Sequence, residues 1–239
     1  MPGAESDPVF VLVQSPLLGP TSWLPVASAL EARDREALVP SLLGIADAPA
    51  PRWRRGVEAV RSAAAGIGRP VVLVGHSGAG PLLPSIADAL SAQVAALIFV
   101  DASLPPASGL APLVPAGFVD QLRAIATDGV LPPWSSWFGQ DAMRDLVPDG
   151  ALREVLEQEM PRMPLGYFED SVPVPEGWIE RPCAFLLLTE AYGESIADSR
   201  ARGWPVAEVT DVQHLAPATD PIPVTDALLD LERALVESG

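Results

Sequence analysis

Four short runs of apolar residues constrain the fold of this chain more than any other feature of its sequence. The runs are continuous instead of alternating between apolar and polar residues, which is typical of parallel strands that are covered on both faces. They occupy residues 9–13, 71–74, 94–100 and 184–188. Together they predict the centre of a parallel sheet.

Segments of helical character separate these predicted strands. Weaker strands fit residues 36–39 and 206–209, and helices fit residues 23–32, 52–65, 78–91 and a C-terminal segment that opens with Asp220 and Pro221. Thr21 or Ser22 could cap the first of these helices. Because strand and helix alternate, the expected fold class is α/β, with a mostly parallel sheet flanked by helices.

The alternation stops between residues 104 and 181. This segment is dense in proline and contains no convincing strand, whereas helices fit residues 117–127, 141–146 and 151–160. A loop of that length without structure of its own is uncommon in a compact domain. The sequence therefore predicts a helical cap of residues 104–181, inserted into a core formed by residues 1–103 and 182–239.

Charge and composition exclude several classes of partner. The formal net charge of −16 disfavours nucleic acid and anionic membranes, which repel an acidic protein at long range. No apolar run approaches the roughly 20 residues of a membrane span. The stretch from Met1 to Pro8 has neither the basic start nor the apolar segment of an export signal, so a cytoplasmic protein with a small-molecule substrate is expected.

No cofactor is expected either. The single cysteine, Cys183, lies in an apolar run and is predicted to be a buried small side chain. The sequence has no Cys/His cluster with metal-ligand spacing, no phosphate-binding loop and no Gly-x-Gly-x-x-Gly pattern. Neither a metal nor a nucleotide cofactor is therefore indicated.

The chemistry-bearing motif is Gly75-His76-Ser77-Gly78-Ala79, which follows the predicted strand at residues 71–74. A serine in a strand–turn–helix context of this kind is the nucleophile elbow, although alanine stands where the second glycine of the motif is usual. The alternative is a helix that is merely capped by a serine. A serine nucleophile also needs a base. The chain contains only two histidines, His76 and His214, and His214 occupies the loop before the last helix, where the base of this architecture is expected.

On these residues, the chain resembles the α/β-hydrolase superfamily along nearly its whole length. The resemblance implies that Ser77 is the nucleophile and His214 the base. It also implies an acid, for which Glu190 is the first candidate because it follows the strand at residues 184–188. Asp101, at the end of the preceding strand, is the second candidate and Glu194 the third. In each case the alternative is a solvated surface carboxylate.

The resemblance further implies an oxyanion hole built from two backbone N–H groups. Gly78, directly after the nucleophile, should supply one. The other should come from the loop after the first strand, but Pro16 in that loop has no N–H. Leu17 is then the expected donor, with assistance from the side chain of Gln14 or Ser15.

Aromatic residues in the cap suggest how a substrate is bound. Trp134, Trp137 and Phe138 lie close together in sequence and suit a mostly apolar ligand, or else they form a small core of the cap itself. Gln14 and His76 are expected at the substrate site as well. Arg123, Arg144 and Arg153 could meet a substrate carboxylate or lie on solvated helix faces.

The leading hypothesis is a serine hydrolase that cleaves a small, largely apolar ester or thioester through a Ser–His–acid triad. Two alternatives belong to other classes of function. One is a lyase or cyclase that uses the same residues for proton transfer, and the other is a non-catalytic binder of small ligands on the same scaffold.

Overall fold

A six-stranded parallel sheet forms the centre of the protein. The computed structural model describes residues 7–139 and 141–237, so most of the N-terminal segment on which the export expectation rests lies outside the described residues. The strand order is β2-β1-β3-β4-β7-β8, and every neighbouring pair is parallel. The strands are β1 Val9–Val13, β2 Ala37–Leu38, β3 Val71–His76, β4 Val94–Val100, β7 Cys183–Leu187 and β8 Val206–Glu208.

The described part of the chain contains ten helices. They are α1 Leu24–Glu31, α2 Trp53–Ala63, α3 Leu83–Ala89, α4 Phe118–Ile125, α5 Ala142–Leu146, α6 Gly150–Glu159, α7 Gly166–Glu169, α8 Gly193–Ala201, α9 Ala216–Thr219 and α10 Pro221–Glu237. None of the described helices is long and apolar enough to cross a membrane.

Helices cover both faces of the sheet, as the continuous apolar runs predicted. Alternate residues of each strand belong to two separate core clusters. Val11 and Leu73 pack on the side of α2, α3 and α8, whereas Leu12 and Val74 pack on the side of α1 and α10. Both faces of a central strand are therefore buried, which explains why polar residues do not interrupt the strand sequences.

The segment between β4 and β7 contains α4 to α7, but the expectation that it has no strand is wrong. Two short strands, β5 Gly109–Pro112 and β6 Ser171–Val174, pair in antiparallel orientation. Each carries a proline, Pro112 and Pro173, which disfavours a strand by removing a backbone donor. A two-stranded ribbon tolerates proline because each of its strands has one unpaired edge.

Two local expectations about helix starts also need correction. The predicted helix at 78–91 is a 3₁₀ segment, Ser77–Leu82, followed by the short helix α3. Pro81 and Pro84 account for this break, since neither can donate a backbone hydrogen bond. Thr21 and Ser22 do not cap α1. They form a 3₁₀ turn before it, in which Ser22 Oγ donates to the Gly19 carbonyl and Thr21 Oγ1 donates to Glu159.

The contact between Thr21 and Glu159 fastens the inserted segment to the core. One carboxylate oxygen of Glu159, at the end of α6, accepts the Thr21 N–H at 3.0 Å, and the other accepts the Thr21 hydroxyl at 2.9 Å. An apolar cluster lies beside this contact and joins α5 and α6 to the loops after β1 and before α9. Its buried members are Leu18, Met143, Val147, Leu156, Met160, Leu215 and Ala218.

Candidate active site

Ser77 lies at a strained turn between β3 and the 3₁₀ segment that precedes α3. Its φ of +56° is in the left-handed region, which residues other than glycine rarely adopt. Glycines on both sides make room for the turn. A Cβ on Gly75 would lie 2.7 Å from Leu83, and one on Gly80 would lie 2.3 Å from the Ser103 carbonyl oxygen. After the serine, the backbone thus comes too close to its neighbours for a side chain at Gly80. Ala79 fits, although it replaces the second glycine of the motif.

A chain of hydrogen bonds joins Ser77 to His214 and His214 to Asp101. The Nε2 atom of His214 lies 3.0 Å from Ser77 Oγ, and its Nδ1 atom lies 2.7 Å from Asp101 Oδ2. Because the Asp101 carboxylate accepts hydrogen bonds only, Nδ1 carries the proton when His214 is neutral. Nε2 is then unprotonated and can accept the Ser77 proton.

Asp101 is held as a carboxylate at the carboxyl end of β4. Its side chain is fully buried and accepts hydrogen bonds from Leu188 N–H, Thr189 N–H and the Thr189 hydroxyl as well as from His214. Burial alone would raise the pKa of Asp101, but the hydrogen bond and charge of His214, together with the two N–H groups, hold that pKa below its usual value.

The predicted order of the acids is therefore wrong in the structure. Glu190, the first candidate, begins a 3₁₀ turn and is exposed to solvent, and no hydrogen bond between described residues joins it to His214. Glu194 lines the cavity described below but is also exposed. Asp101 contacts His214 instead. Because β4 and β7 are neighbours, the residues after β7 lie beside the end of β4 and donate hydrogen bonds to Asp101.

His76 and Gln14 do not line the large cavity, contrary to expectation. The buried His76 donates its Nε2–H to the His214 carbonyl at 3.0 Å, and its ring packs 4.5 Å from the His214 ring between centroids. Burial and the nearby His214 lower the pKa of His76 to about 3, so the ring is neutral. The Gln14 amide spans the Pro40 carbonyl and the Leu42 N–H, at 2.7 and 3.1 Å, in the orientation that satisfies both groups. Both residues position the backbone around the site.

The loop after β1 approaches the turn at Ser77 but does not present the expected donor. The Leu17 N–H is directed at Ser15 Oγ, 3.4 Å away, and the Leu18 N–H donates to the Ser15 carbonyl at 2.9 Å. A Cβ on Gly78 would lie 3.2 Å from Ser15 Oγ and 3.5 Å from the Pro16 ring. The side chain of Ser15, not the backbone of Leu17, is therefore the polar group of this loop beside Gly78.

Sequence reasoning missed two residues of the loop after β7. Thr189 supplies two hydrogen bonds to Asp101. The Tyr192 ring stacks on His214, with 5.5 Å between centroids and 13° between planes, and its hydroxyl lies 3.5 Å from Ser77 Oγ. Burial raises the pKa of Tyr192, so this hydroxyl is protonated at neutral pH. The only signal in the sequence was that both have a hydroxyl and lie within five residues of the end of a central strand.

A largely apolar cavity of about 770 Å³ opens onto Ser77 and His214. The three cap aromatics predicted to bind substrate, Trp134, Trp137 and Phe138, all line it, as do Ser15, Leu17 and Gly78. Trp137 also packs on Phe168, with 6.0 Å between ring centroids, and both belong to the apolar core beside the sheet, whereas Phe138 is 58% exposed. Among residues 7–139 and 141–237, no group of three or more His, Cys, Asp or Glu side chains could hold a metal ion.

Fold and site together define a class of protein: a parallel-sheet α/β protein in which a serine at a strand-to-helix turn meets a histidine and an acid. Residues 11–227 match the family model described as the alpha/beta hydrolase family, and the chain belongs to that family. No curated protein matches the chain.

Solved structures with the same fold cover nearly the whole chain at low sequence identity. An extracellular alpha/beta-hydrolase from a Paenibacillus species is 17% identical with a TM-score of 0.73, over 94% of this chain and 99% of that one. Polyneuridine aldehyde esterase is 18% identical with a TM-score of 0.70, over 95% and 99%. Tomato methylketone synthase I, complexed with 2-tridecanone, is 15% identical with a TM-score of 0.72, over 96% and 99%. These likenesses concern the fold.

Proposed function

We propose that the protein is a serine esterase that hydrolyses small, neutral and largely apolar carboxylic esters. The observation that carries this proposal is the hydrogen-bonded chain Ser77–His214–Asp101 at the floor of an apolar cavity. A serine hydroxyl becomes a competent nucleophile when an oriented base can take its proton, and the geometry around His214 meets that requirement.

In the proposed mechanism, Ser77 Oγ attacks the ester carbonyl carbon while its proton passes to His214 Nε2. The carbonyl electrons move to oxygen, where the Gly78 N–H donates a hydrogen bond to the developing negative charge. The imidazolium then gives its proton to the departing alcohol as the acyl–oxygen bond breaks. A water molecule, deprotonated by His214, releases the acid from Ser77. Asp101 holds the imidazole orientation and offsets its positive charge.

The lining of the cavity supports a neutral substrate. Its acidic members are Asp145 and Glu194, and no arginine is among the described residues that line it. The arginines considered as carboxylate partners are engaged elsewhere: Arg123 pairs with Asp120 and Glu169, and Arg144 pairs with Asp141. Arg153 donates to the Val147 carbonyl. A thioester on an anionic carrier would find no cation here, so an ester is the better substrate class.

The names of structural neighbours agree with this proposal. They include polyneuridine aldehyde esterase, a methylesterase from Arabidopsis and a pyrethroid hydrolase, all under 25% identical to this chain. We further propose that the protein acts in the cytoplasm. We also propose that it has no nucleic-acid or membrane partner, because its net charge of −16 repels both at long range.

A second candidate, proton-transfer chemistry without an acyl-enzyme, is favoured by one observation. The protonated Tyr192 hydroxyl lies 3.5 Å from Ser77 Oγ, which gives the site another group able to donate or accept a proton. Such an enzyme would convert its substrate without any covalent bond to Ser77.

Intact-protein mass spectrometry after reaction with a fluorophosphonate tests the proposal. We expect a single adduct on the wild type and none on Ser77→Ala or His214→Ala, with hydrolysis of p-nitrophenyl butyrate lost in the same variants. The Glu190→Gln variant, altered at an exposed carboxylate near the site, is the matched control and should label like the wild type. An unlabelled wild type that nevertheless binds small esters would contradict the esterase and favour proton transfer or ligand binding.

A further inference from the structure

The loop between β1 and α1 lacks a free backbone donor where an acyl-transfer site needs one. Pro16 has no N–H, the Leu17 N–H is directed at Ser15 Oγ, and the Leu18 N–H is bound to the Ser15 carbonyl. A tetrahedral oxyanion is ordinarily held by a second donor in addition to the N–H after the nucleophile. None of these three residues has a free N–H to serve as the second donor, so another group has to supply it.

Ser15 Oγ occupies a suitable place. Its side chain is buried, it lines the large cavity, and it lies 3.2 Å from the point where a Cβ on Gly78 would be. With Ser77, Leu17 and His214 it also lines a second cavity of about 20 Å³. The Ser15 hydroxyl therefore lies beside Gly78 and lines the same two cavities as Ser77.

The hydrogen bonds of Ser15 leave its proton free to be donated. A hydroxyl has one donor and two acceptor positions, and Ser15 Oγ uses one acceptor position for the Leu17 N–H. Within the described residues, no acceptor receives the Ser15 hydroxyl proton.

We infer that the Ser15 hydroxyl is the second donor of the oxyanion hole, in place of the backbone N–H that Pro16 cannot provide. As Ser77 attacks and the carbonyl electrons move to oxygen, the oxyanion accepts one hydrogen bond from the Gly78 N–H and one from the Ser15 hydroxyl. Leu17 acts behind Ser15 as a positioning residue. This inference rests on the proposed esterase function.

The test compares Ser15→Ala with Ser15→Thr, which keeps a hydroxyl, in hydrolysis of p-nitrophenyl butyrate. Loss of an oxyanion donor lowers kcat by about 10²–10³-fold in a known hydrolase, and we expect a loss of that order in Ser15→Ala with KM changed by less than about threefold. Ser15→Thr should keep most of the activity. The melting temperature of each variant shows whether it is folded.

A second measurement separates a chemical role from a structural one. Butylboronic acid forms a tetrahedral adduct with an activated serine, so its inhibition constant should rise in Ser15→Ala by a factor close to the loss in kcat/KM. Adding Pro16→Ala to Ser15→Ala introduces a backbone N–H and should recover part of the lost activity.

The outcomes distinguish this inference from the proposed function. A wild type that neither labels with fluorophosphonate nor hydrolyses the ester overturns the esterase itself. An active wild type with an equally active Ser15→Ala variant overturns only the role of Ser15, and the Leu17 N–H, released from Ser15 Oγ, would then be the donor.

Discussion

The Nδ1 atom of His214 lies 2.7 Å from Oδ2 of Asp101, across 113 positions of sequence. Asp101 leaves β4 with a φ of +43°, and the residues after β7 supply three further donors to its carboxylate. Two neighbouring strands thus position the acid: Asp101 follows β4, and the residues after β7 donate hydrogen bonds to its carboxylate.

Replacing Asp101 should cripple the proposed esterase, whereas replacing Glu190 should not. In Asp101→Asn the amide no longer offsets the imidazolium charge and can hold His214 in the wrong tautomer, so kcat should fall by about 10⁴-fold, by analogy with the same change in a serine protease. Glu190→Gln removes an exposed carboxylate and should retain wild-type kcat/KM. Steady-state hydrolysis of p-nitrophenyl butyrate checks both. A larger loss in Glu190→Gln than in Asp101→Asn would contradict the assignment of the acid.

The Thr189 hydroxyl should contribute to catalysis through Asp101. Thr189→Val removes the 2.7 Å hydrogen bond to Asp101 Oδ2 but keeps the shape of the side chain. A hydrogen bond to a charged group contributes about 1.5 kcal/mol or more, and kcat should fall by about tenfold where that contribution is lost from the transition state, in which Asp101 faces an imidazolium. Thr189→Ser, which keeps the hydroxyl, is the control. Equal kcat values for the two variants would show that the backbone N–H groups alone are sufficient.

Sequence patterns predicted those features of the structure that depend on neighbouring residues in the chain. The continuous apolar runs predicted the central strands to within a few residues, and the glycine-flanked serine predicted the turn at Ser77, because both patterns reflect the immediate surroundings of the chain. The acid is not local. Whether Asp101 or Glu190 reaches His214 depends on how the ends of β4 and β7 are placed side by side, which no spacing in the sequence encodes.

The donor that we propose in the loop after β1 could not be predicted for a related reason. The absence of an N–H at Pro16 was visible in the sequence, but the direction of the Leu17 N–H depends on the turn that closes on Ser15. The role of Gln14 likewise depends on its approach to Pro40 and Leu42, which lie beyond β2. The polar side chain of Gln14 alone suggested that this residue contacts the substrate.

The buried, neutral His76 should make folding stability depend on pH. In the unfolded chain the pKa of His76 is near its ordinary value of 6.5, whereas in the folded protein burial and the facing His214 lower it to about 3. Between these values the unfolded state binds a proton that the folded state does not. The free energy of unfolding should therefore fall as pH decreases, with a slope of at most about 1.4 kcal/mol per pH unit from this residue.

His76→Gln tests this dependence, because its amide can still donate to the His214 carbonyl but does not titrate. Differential scanning calorimetry from pH 7.5 to 5.0 should show a smaller decrease in Tm for the variant than for the wild type. Asp101, the nearby carboxylate, is unchanged in both proteins. Parallel Tm profiles would mean that His76 is not the residue responsible.

The contact between Glu159 and Thr21 should stabilise the folded protein. Glu159→Ala removes two hydrogen bonds to a carboxylate and should lower the free energy of unfolding by about 1–3 kcal/mol. Glu154→Ala, on the same helix but exposed, is the matched control and should change it by less than about 0.5 kcal/mol. Urea unfolding followed by circular dichroism measures both. If the two variants are equally stable, the contact contributes nothing measurable.

Tyr192 should act mainly through its ring. At 3.5 Å, the hydrogen bond between its hydroxyl and Ser77 Oγ is at the outer limit, so Tyr192→Phe should lower kcat/KM by less than about fivefold. Tyr192→Ala removes the ring that stacks on His214 and should lower kcat/KM considerably more. Ester hydrolysis by the two variants checks this order. Complete loss of turnover in Tyr192→Phe, without an acyl-enzyme on Ser77 in the wild type, would favour proton-transfer chemistry instead.

The position of the acid on β4 has a consequence for how this enzyme can change. Because β4 carries the carboxylate, the stretch after Thr189 has no catalytic acid to preserve, although it forms one wall of the cavity through Ala191, Tyr192 and Glu194. Tyr192 has to stay because its ring stacks on His214, but the other residues of 190–195 could be grafted from relatives or randomised in a library while the hydrogen-bonded chain Ser77–His214–Asp101 is kept. New substrate preferences are therefore most accessible, by evolution or by design, through this loop.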